Sequence, residues 1–285
     1  MCTPDPPRLA PIGLSVYGRI EHLRKTIAAL RANTLASQSV LHIFSDAPKP
    51  GDEAKIAAMR TFLRTIDGFR DVIIVERQTN SRVANNRGGQ RELVDTYGKM
   101  IWMEEDIVTA PGFLEFVNRG LAFYQSNPCI FSITGYTPPI EIPPAFTQDA
   151  FALSRFNAWG FGIWKDRYVL IREITQTAVQ SMNRLKLTRN GQDVYDMALA
   201  DATGRLNALD VRAMFVQAEL DGLTIFPRAS LVENIGHDGS GLHCRNTQRF
   251  HHQRLWDKQS GFSFDPDIRV HSMIRMLQYL FRSCP

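Results

Sequence analysis

Short apolar runs alternate along this chain with segments of helical spacing, and that alternation constrains the fold more than any single motif. Ile12, Leu14 and Val16 recur at period two, and Ile20, Leu23, Ile27 and Leu30 then recur at helical spacing. Val40-Leu41-His42-Ile43-Phe44 predicts a second strand ending at Ser45-Asp46-Ala47-Pro48, and Ile56, Met59, Leu63 and Ile66 mark the helix after it. Val72-Ile73-Ile74-Val75 predicts a third strand, Leu93, Val94 and Tyr97 a third helix, and Lys99 to Met103 a fourth strand. Several of these strands are unbroken apolar runs, the pattern of a sheet buried on both faces. The expectation is an α/β fold with a mixed, mostly parallel central sheet and helices on both sides, Rossmann-like in plan.

After residue 107 the pattern loosens. A helix is expected from about Pro111 to Gln125, then a strand at Ile130 to Thr134 ending in Gly135-Tyr136. Pro138, Pro139, Pro143 and Pro144 forbid regular structure over 137–149 and predict a loop over a site. Phe151 to Leu153 reads as an edge strand, the chain to about Asp221 as mainly helical, and Leu223 to Phe226 as a further strand. With no internal repeat and no low-complexity linker, residues 1–285 are expected to form one domain of two halves, 1–107 and 108–285.

Composition excludes several classes. A hydrophobic fraction of 44% with 22% charged residues is that of a globular protein with a real core. No stretch approaches eighteen consecutive apolar residues, and the first residues lack the apolar core of a signal peptide. Cys2, Cys129, Cys244 and Cys284 are far apart and form no C-x-x-C pair, so neither zinc nor a disulfide framework is indicated. Reduced thiols and no leader predict a cytoplasmic protein. The net charge of +4 is dispersed, without the basic stripe or reading module that nucleic-acid binding needs.

The acidic triplet Glu104-Glu105-Asp106 closes the fourth strand. Three carboxylates at the mouth of a buried strand repel one another, so a positive charge belongs there. Hard oxygen ligands suit Mg²⁺ or Mn²⁺, and such ions bridge carboxylates to substrate phosphates. In open parallel sheets ligands collect at the carboxyl ends of strands, where Asp46 and the triplet both fall.

Four blocks in order carry a resemblance over most of the chain: Ser45-Asp46, Glu104-Glu105-Asp106, Trp159-Gly160-Phe161-Gly162-Ile163-Trp164, and Ser230-Leu231-Val232-Glu233-Asn234 leading into Gly236 to His243. The chain resembles the GT-A fold glycosyltransferases, and within them the branch of N-acetylglucosaminyltransferase I and its bacterial relatives. The resemblance implies metal-dependent transfer of a sugar from a nucleotide-diphosphate donor, a UDP-sugar, to a glycan or other hydroxyl acceptor, with inversion. It implies Asp106 as the direct ligand of Mn²⁺ or Mg²⁺, and Glu104 and Glu105 as contacts to the donor sugar and ribose. Asp46 matches a base-reading aspartate, although an aspartate before Pro48 equally serves a turn. Arg19 resembles an arginine that reaches the diphosphate, and Asn85 to Arg91, with Asn86 and Arg91 as donors, resembles a phosphate-side stretch.

Trp159 offers a flat face for a sugar ring, with Gly160 letting the backbone come close. Inverting transfer needs a base for the acceptor hydroxyl. Asp210 matches the family aspartate, with Leu209 where relatives have tryptophan; Asp193 and Glu233 are rivals. The loop Gly236 to His243 has the freedom to close over a donor, and His243 is a further candidate metal ligand. Arg269, His271, Arg275 and Arg282 among Val270, Ile274, Leu277, Leu280 and Phe281 predict a basic amphipathic helix, docked on the core or, for a lipid-linked acceptor, peripheral at a membrane. Two other classes are weighed against transfer. A sugar-phosphate nucleotidyltransferase would carry a glycine-rich loop where Ser15 to Arg19 stands, and a non-catalytic nucleotide-sugar or carbohydrate-binding module would keep the fold without the base.

Overall fold

The apolar runs of the first half lie side by side. The computed structural model describes residues 8–189, 191–240 and 254–283. In it β1 (Ile12–Val16), β2 (Val40–Ser45), β3 (Asp71–Glu76) and β4 (Lys99–Glu104) are parallel neighbours in the order β3-β2-β1-β4. The second half supplies β5 (Ile107–Thr109), β6 (Ile130–Thr134), β7 (Ala150–Leu153), β8 (Phe161–Trp164), β9 (Leu223–Pro227) and β10 (Val232–Asn234). Four of these continue the sheet beyond β4 in the order β8-β6-β9-β7, with β7 and β8 running against the other strands. β5 and β10 pair antiparallel as a separate ribbon. The fold is α/β with a mixed, mostly parallel sheet, as the alternation predicts.

The helices are α1 (Ile20–Arg31), α2 (Glu53–Leu63), α3 (Arg82–Tyr97), α4 (Phe113–Phe123), α5 (Lys165–Tyr168), α6 (Gln176–Ser181), α7 (Arg184–Thr188), α8 (Asp193–Ala202), α9 (Leu209–Glu219) and α10 (Ser272–Ser283). They cover both faces of the sheet because the strands are apolar on both. Leu41, Ile43, Ile101 and Met103 pack with Leu23 and Ile27 of α1, Met59 of α2 and Phe116 of α4. Their sequence neighbours Phe44, Met100 and Trp102 point the other way, to Leu93 and Val94 of α3 and Val211 and Phe215 of α9. α1 buries Leu23, Thr26, Ile27 and Leu30, the i, i+3, i+4, i+7 stripe read from the sequence. α3 begins where the Ser81 side chain accepts the Ala84 N–H at 3.2 Å and ends at left-handed Gly98.

Three features depart from expectation or were invisible to it. Asn85 to Arg91 lies inside α3, so its backbone N–H groups beyond the first turn are spent within the helix rather than free for phosphate. Gly89 stands there because a Cβ would come within 2.9 Å of the Phe44 ring. The three-residue strands β5 and β10 are too short for any period to show. Phe161 to Trp164, the second part of the aromatic block that carries the resemblance, is β8, wedged in the sheet between β4 and β6. At the far edge, Val270 bridges to Ala152 of β7, and Ile274 of α10 joins Phe146, Phe151 and Phe226, so the terminal helix docks on the core.

From β1 the chain winds outward through β2 to β3, then returns to place β4 on the other side of β1. The strand order reverses between β1 and β4, and the crevice beyond their carboxyl ends is where an open sheet of this kind binds ligands.

The β1–β4 seam sets a tight packing limit. A Cβ on Gly13 would stand 2.5 Å from Trp102 and 2.6 Å from Leu93. Gly13→Ala should therefore cost about 1–3 kcal/mol of unfolding free energy from overpacking, measured by urea denaturation. A midpoint equal to wild type would show that this seam has slack.

Candidate functional site

The reversal point holds a cleft of about 330 Å³. β1 delivers Tyr17, Gly18 and Arg19 to it, β2 delivers Asp46, and β4 delivers Glu104, Glu105 and Asp106. Lys49, Lys55, Asn80, Arg82, Asn85 and Asn86 complete its walls, with Ser240 at the far side.

Arg19 ties the triplet together. Its Nε donates to Glu105 Oε1 at 2.9 Å and an Nη to Asp106 Oδ2 at 2.7 Å. Glu105 Oε2 accepts the Tyr17 N–H at 2.8 Å, so both of its oxygens are engaged, and Thr26 Oγ1 holds its backbone carbonyl at 2.8 Å. Asp106 is 3% exposed, and its Oδ1 is buried without a hydrogen-bond partner, as is the Arg19 Nη1. Gly236 passes over this pair; a Cβ there would overlap Asp106 Oδ2 and stand 2.9 Å from Arg19 Nη1.

The electrostatics follow from one arginine serving two buried acids. Burial pulls the Arg19 pKa down, but Asp106 and Glu105 outweigh it and hold the guanidinium firmly charged. Burial pushes Glu105 up, and Arg19 offsets only part of that. Glu104 lines the cleft and accepts a weak contact from Asn86 Nδ2 at 3.4 Å. The crowding of protein around it, and then the charges of Asp106 and Glu105, raise its pKa.

Cations line the same cleft. Lys49 and Lys55 flank the Tyr17 ring, each Nζ 5.8 Å from its centroid, and neither has a carboxylate partner among the described residues. Tyr17 is itself fixed by its hydroxyl, which donates to Asp52 at 2.6 Å and accepts the Lys49 N–H at 3.0 Å. The cleft is thus bipolar, acidic at the end of β4 and basic along the loops after β2 and β3.

The candidate place for a divalent cation is Asp106. Among the described residues no three His, Cys, Asp or Glu side chains come together as a ready ligand set. The unpartnered Asp106 Oδ1 nonetheless fits a single-carboxylate site whose other ligands are phosphate oxygens and water, the usual manner of Mg²⁺. The positive charge that the triplet requires is supplied in part by Arg19.

The remaining sequence candidates separate. Asp46 lines the cleft but is built into its wall: Oδ1 accepts the Ala47 and Ser81 N–H groups at 2.9 and 3.0 Å, and Oδ2 accepts Asn80 Nδ2 at 3.3 Å. It pins the end of β2 to the start of α3. Asn86 lines the cleft and accepts the Ser15 hydroxyl. Arg91 does not line it; this side chain faces solvent one turn further along α3, paired with Asp95 at 2.6 Å. Trp159 also lies off the cleft lining, packed edge-on against Tyr136 with centroids 4.5 Å apart and against His237 at 5.3 Å. Gly160, at φ 64°, is required by backbone conformation and by Phe113, which a Cβ would approach to 3.0 Å. The glycine therefore serves packing at this position.

Asp210 lies in the first turn of α9 and lines neither this cleft nor the second cavity described below. Burial raises its pKa, against lowering by the Val211 N–H and by Arg155. Asp193 is held by Arg155 in a two-pronged ion pair at 2.6 and 2.9 Å. Glu233 sits on β10, paired with Val108 of β5. His243 lies outside the described residues.

Lys49, Lys55, Asn80 and Arg82 escaped the sequence reading. Their signal was available: each follows the carboxyl end of a parallel strand, where such sheets carry their ligands.

The Arg155–Asp193 pair has a pH signature that marks Asp193 as structural. Burial raises its pKa, but the hydrogen bonds and charge of Arg155 bring the folded value below the ordinary 3.8. A depressed carboxylate stabilises the fold above its unfolded pKa and loses that contribution as pH falls through the folded value. Asp193→Asn should cost about 1–3 kcal/mol at pH 7 by chemical denaturation. The deficit should shrink as pH drops below 3.8; a deficit constant with pH would mean the pair contributes no net charge energy.

No protein-family model matches the chain, and no curated protein does. Solved structures similar to it include S. aureus TarS at 8% identity, covering 54% of this chain and 28% of that one, with a TM-score of 0.36. A mannosyltransferase from Pyrobaculum calidifontis, in complex with GDP-Man and Mn²⁺, is 10% identical over 76% of this chain and 73% of its own, at 0.43. GalNAc-T7 with UDP, GalNAc and Mn²⁺ is 9% identical over 79% of this chain and 43% of its own, at 0.46. The chain thus spans under half the length of TarS and of GalNAc-T7. Likenesses of this size assign neither a family nor an activity.

Proposed function

We propose that this chain is a GT-A glycosyltransferase of the N-acetylglucosaminyltransferase I-like branch. In this reading it moves a sugar from a UDP-sugar to a hydroxyl acceptor with inversion, using Mn²⁺ or Mg²⁺ held at Asp106. The observation that carries it is the bipolar cleft at the β1–β4 reversal, lined both by Lys49 and Lys55, which have no carboxylate partner among the described residues, and by Asp106, whose buried Oδ1 lacks a hydrogen-bond partner.

The roles divide by charge. Lys49 and Lys55 attract the diphosphate, and Tyr17, braced by Asp52, holds them apart. Arg19 bridges Glu105 and Asp106 and fixes the position of both carboxylates at the end of β4. Glu104, with Asn86 beside it, is the acid left to meet the sugar, because both Glu105 oxygens are engaged. A cation at Asp106, when bound, would neutralise the departing diphosphate. Asp210 is the proposed base; burial raises its pKa above the ordinary carboxylate value, which makes it a better proton acceptor. A second reading, a nucleotide-sugar-binding module without catalysis, is favoured by Asp210 lying outside the cleft lining.

Thermal shift with UDP is the direct test. UDP should raise the melting temperature, and Mn²⁺ should enlarge that shift. Asp106→Asn should abolish the metal-dependent part, and Lys49→Ala with Lys55→Ala should weaken UDP binding about tenfold or more. Equal shifts with and without Mn²⁺ would remove the metal from the proposal, and no UDP response at all would remove the donor.

Asp210→Asn separates transfer from binding. UDP affinity should stay as in wild type while hydrolysis of a donor UDP-sugar falls by about a hundredfold or more. Unchanged turnover would take the role of base from Asp210; absent turnover in wild type with intact UDP binding would establish the binding module.

A further inference from the structure

A second cavity, of about 380 Å³, opens beyond the carboxyl ends of β6 and β9, the same edge of the sheet as the first. The ribbon of β5 and β10 joins the two. Ile235, just past β10, donates its N–H to the Asp106 carbonyl at 2.9 Å, and Ser230, just before it, lines the second cavity.

The chemistry of this cavity is unlike that of the first. Among the described residues its charge is of one sign: Arg228 and Arg254 line it and no acid does. Neither guanidinium has an ion-pair or hydrogen-bond partner among the described residues, whereas Arg19, Arg155 and Arg212 are each tied to carboxylates. The rest of the wall is apolar, from Pro138, Ile140 and Ile142 to Trp256. Its two hydroxyls are already spent: Thr137 Oγ1 donates to the Pro227 carbonyl, and Ser230 Oγ donates to the Val232 carbonyl at 2.7 Å while accepting the Thr137 N–H at 3.0 Å. A sugar with many hydroxyls finds few partners on such a surface. An anion attached to a hydrocarbon body finds both of its needs.

The apolar wall also has a continuation. Ile140 and Ile142 pack on the cluster that seats Ile274 of α10, and the same helix leaves Met273, Met276 and Leu280 about half exposed. Arginine forks match phosphate oxygens in pairs, and proline-rich backbone presents a stiff apolar face at little entropic cost.

We propose that the second cavity seats the phosphate and first carbons of an amphiphilic phosphate, the lipid anchor of the acceptor. Arg228 and Arg254 clasp the phosphate, and the Pro138 to Ile142 wall with Trp256 takes the hydrocarbon. The assignment of this ligand as acceptor rests on the transferase reading above; its binding chemistry does not.

The test is calorimetric titration of the full chain with geranyl monophosphate, geraniol, inorganic phosphate and glucuronic acid, with UDP titrated in parallel. Geranyl monophosphate should bind at least about tenfold tighter than each of the other three. Arg228→Gln combined with Arg254→Gln should remove that advantage while leaving UDP binding and the melting temperature as in wild type. Arg228→Lys with Arg254→Lys should retain part of it. Geraniol binding as tightly would reduce the site to an apolar slot, and glucuronic acid binding more tightly would make its ligand an acidic sugar; either overturns the proposal. So would loss of geranyl monophosphate binding in the Lys49→Ala, Lys55→Ala variant instead of the arginine variant, which would place it in the first cleft. If UDP fails to bind wild type while geranyl monophosphate behaves as expected, the donor reading falls and this site stands.

Discussion

The Arg19 guanidinium, held between Glu105 and Asp106, is the interaction on which the rest of the site depends. Consecutive carboxylates at the end of a buried strand repel one another strongly where water is scarce. Arg19 reaches them because β1 and β4 are hydrogen-bonded neighbours and the turn after β1 carries it across the seam. The arrangement needs Thr26 beneath Glu105 and a residue without a side chain at Gly236 above Asp106. One arginine against two buried acids leaves an excess of negative charge, which adds to the crowding of protein around Glu104 in raising its pKa.

That excess gives the cleft its polarity. Acids gather where β4 ends and cations where β2 and β3 hand over to α2 and α3, a charge pattern that fits the diphosphate and cation of the proposed function. Asp46 contributes by architecture: by fixing the loop after β2 to the start of α3 it sets the spacing of the basic wall. The second cavity lies along the same sheet edge with the opposite economy, positive charge on apolar walls and almost no free hydroxyl. Two sites of such different character along one edge suit a reaction that joins two unlike substrates.

Much of the scaffold was legible in the chain. β1 to β4 and α1 were plain because their apolar residues are dictated by burial on both faces, a demand that local periodicity records directly. Misreadings arose where one residue type serves two physical ends. Gly88-Gly89 resembled a phosphate loop, but Gly89 exists to let α3 approach Phe44. Trp159 was read as a sugar-facing ring, but it packs edge-on against Tyr136 and His237, and the Phe161 to Trp164 stretch after it makes an inner strand fit between β4 and β6. Arg91 was placed with the phosphates by its neighbours in sequence, and the helix turned it to solvent.

By itself the sequence determined the α/β class, the order of the first four strands along the chain, and the acidic end of β4, since burial and charge repulsion act on residues close in sequence. Only the tertiary structure decided that β4 lies beside β1, that Arg19 rather than a metal alone answers the triplet, and that Lys49, Lys55, Arg228 and Arg254 line cavities without a carboxylate partner among the described residues. Those outcomes depend on contacts between segments far apart in the chain. Which charges meet there is settled by strand order and crossover, and neither leaves a local period to be read.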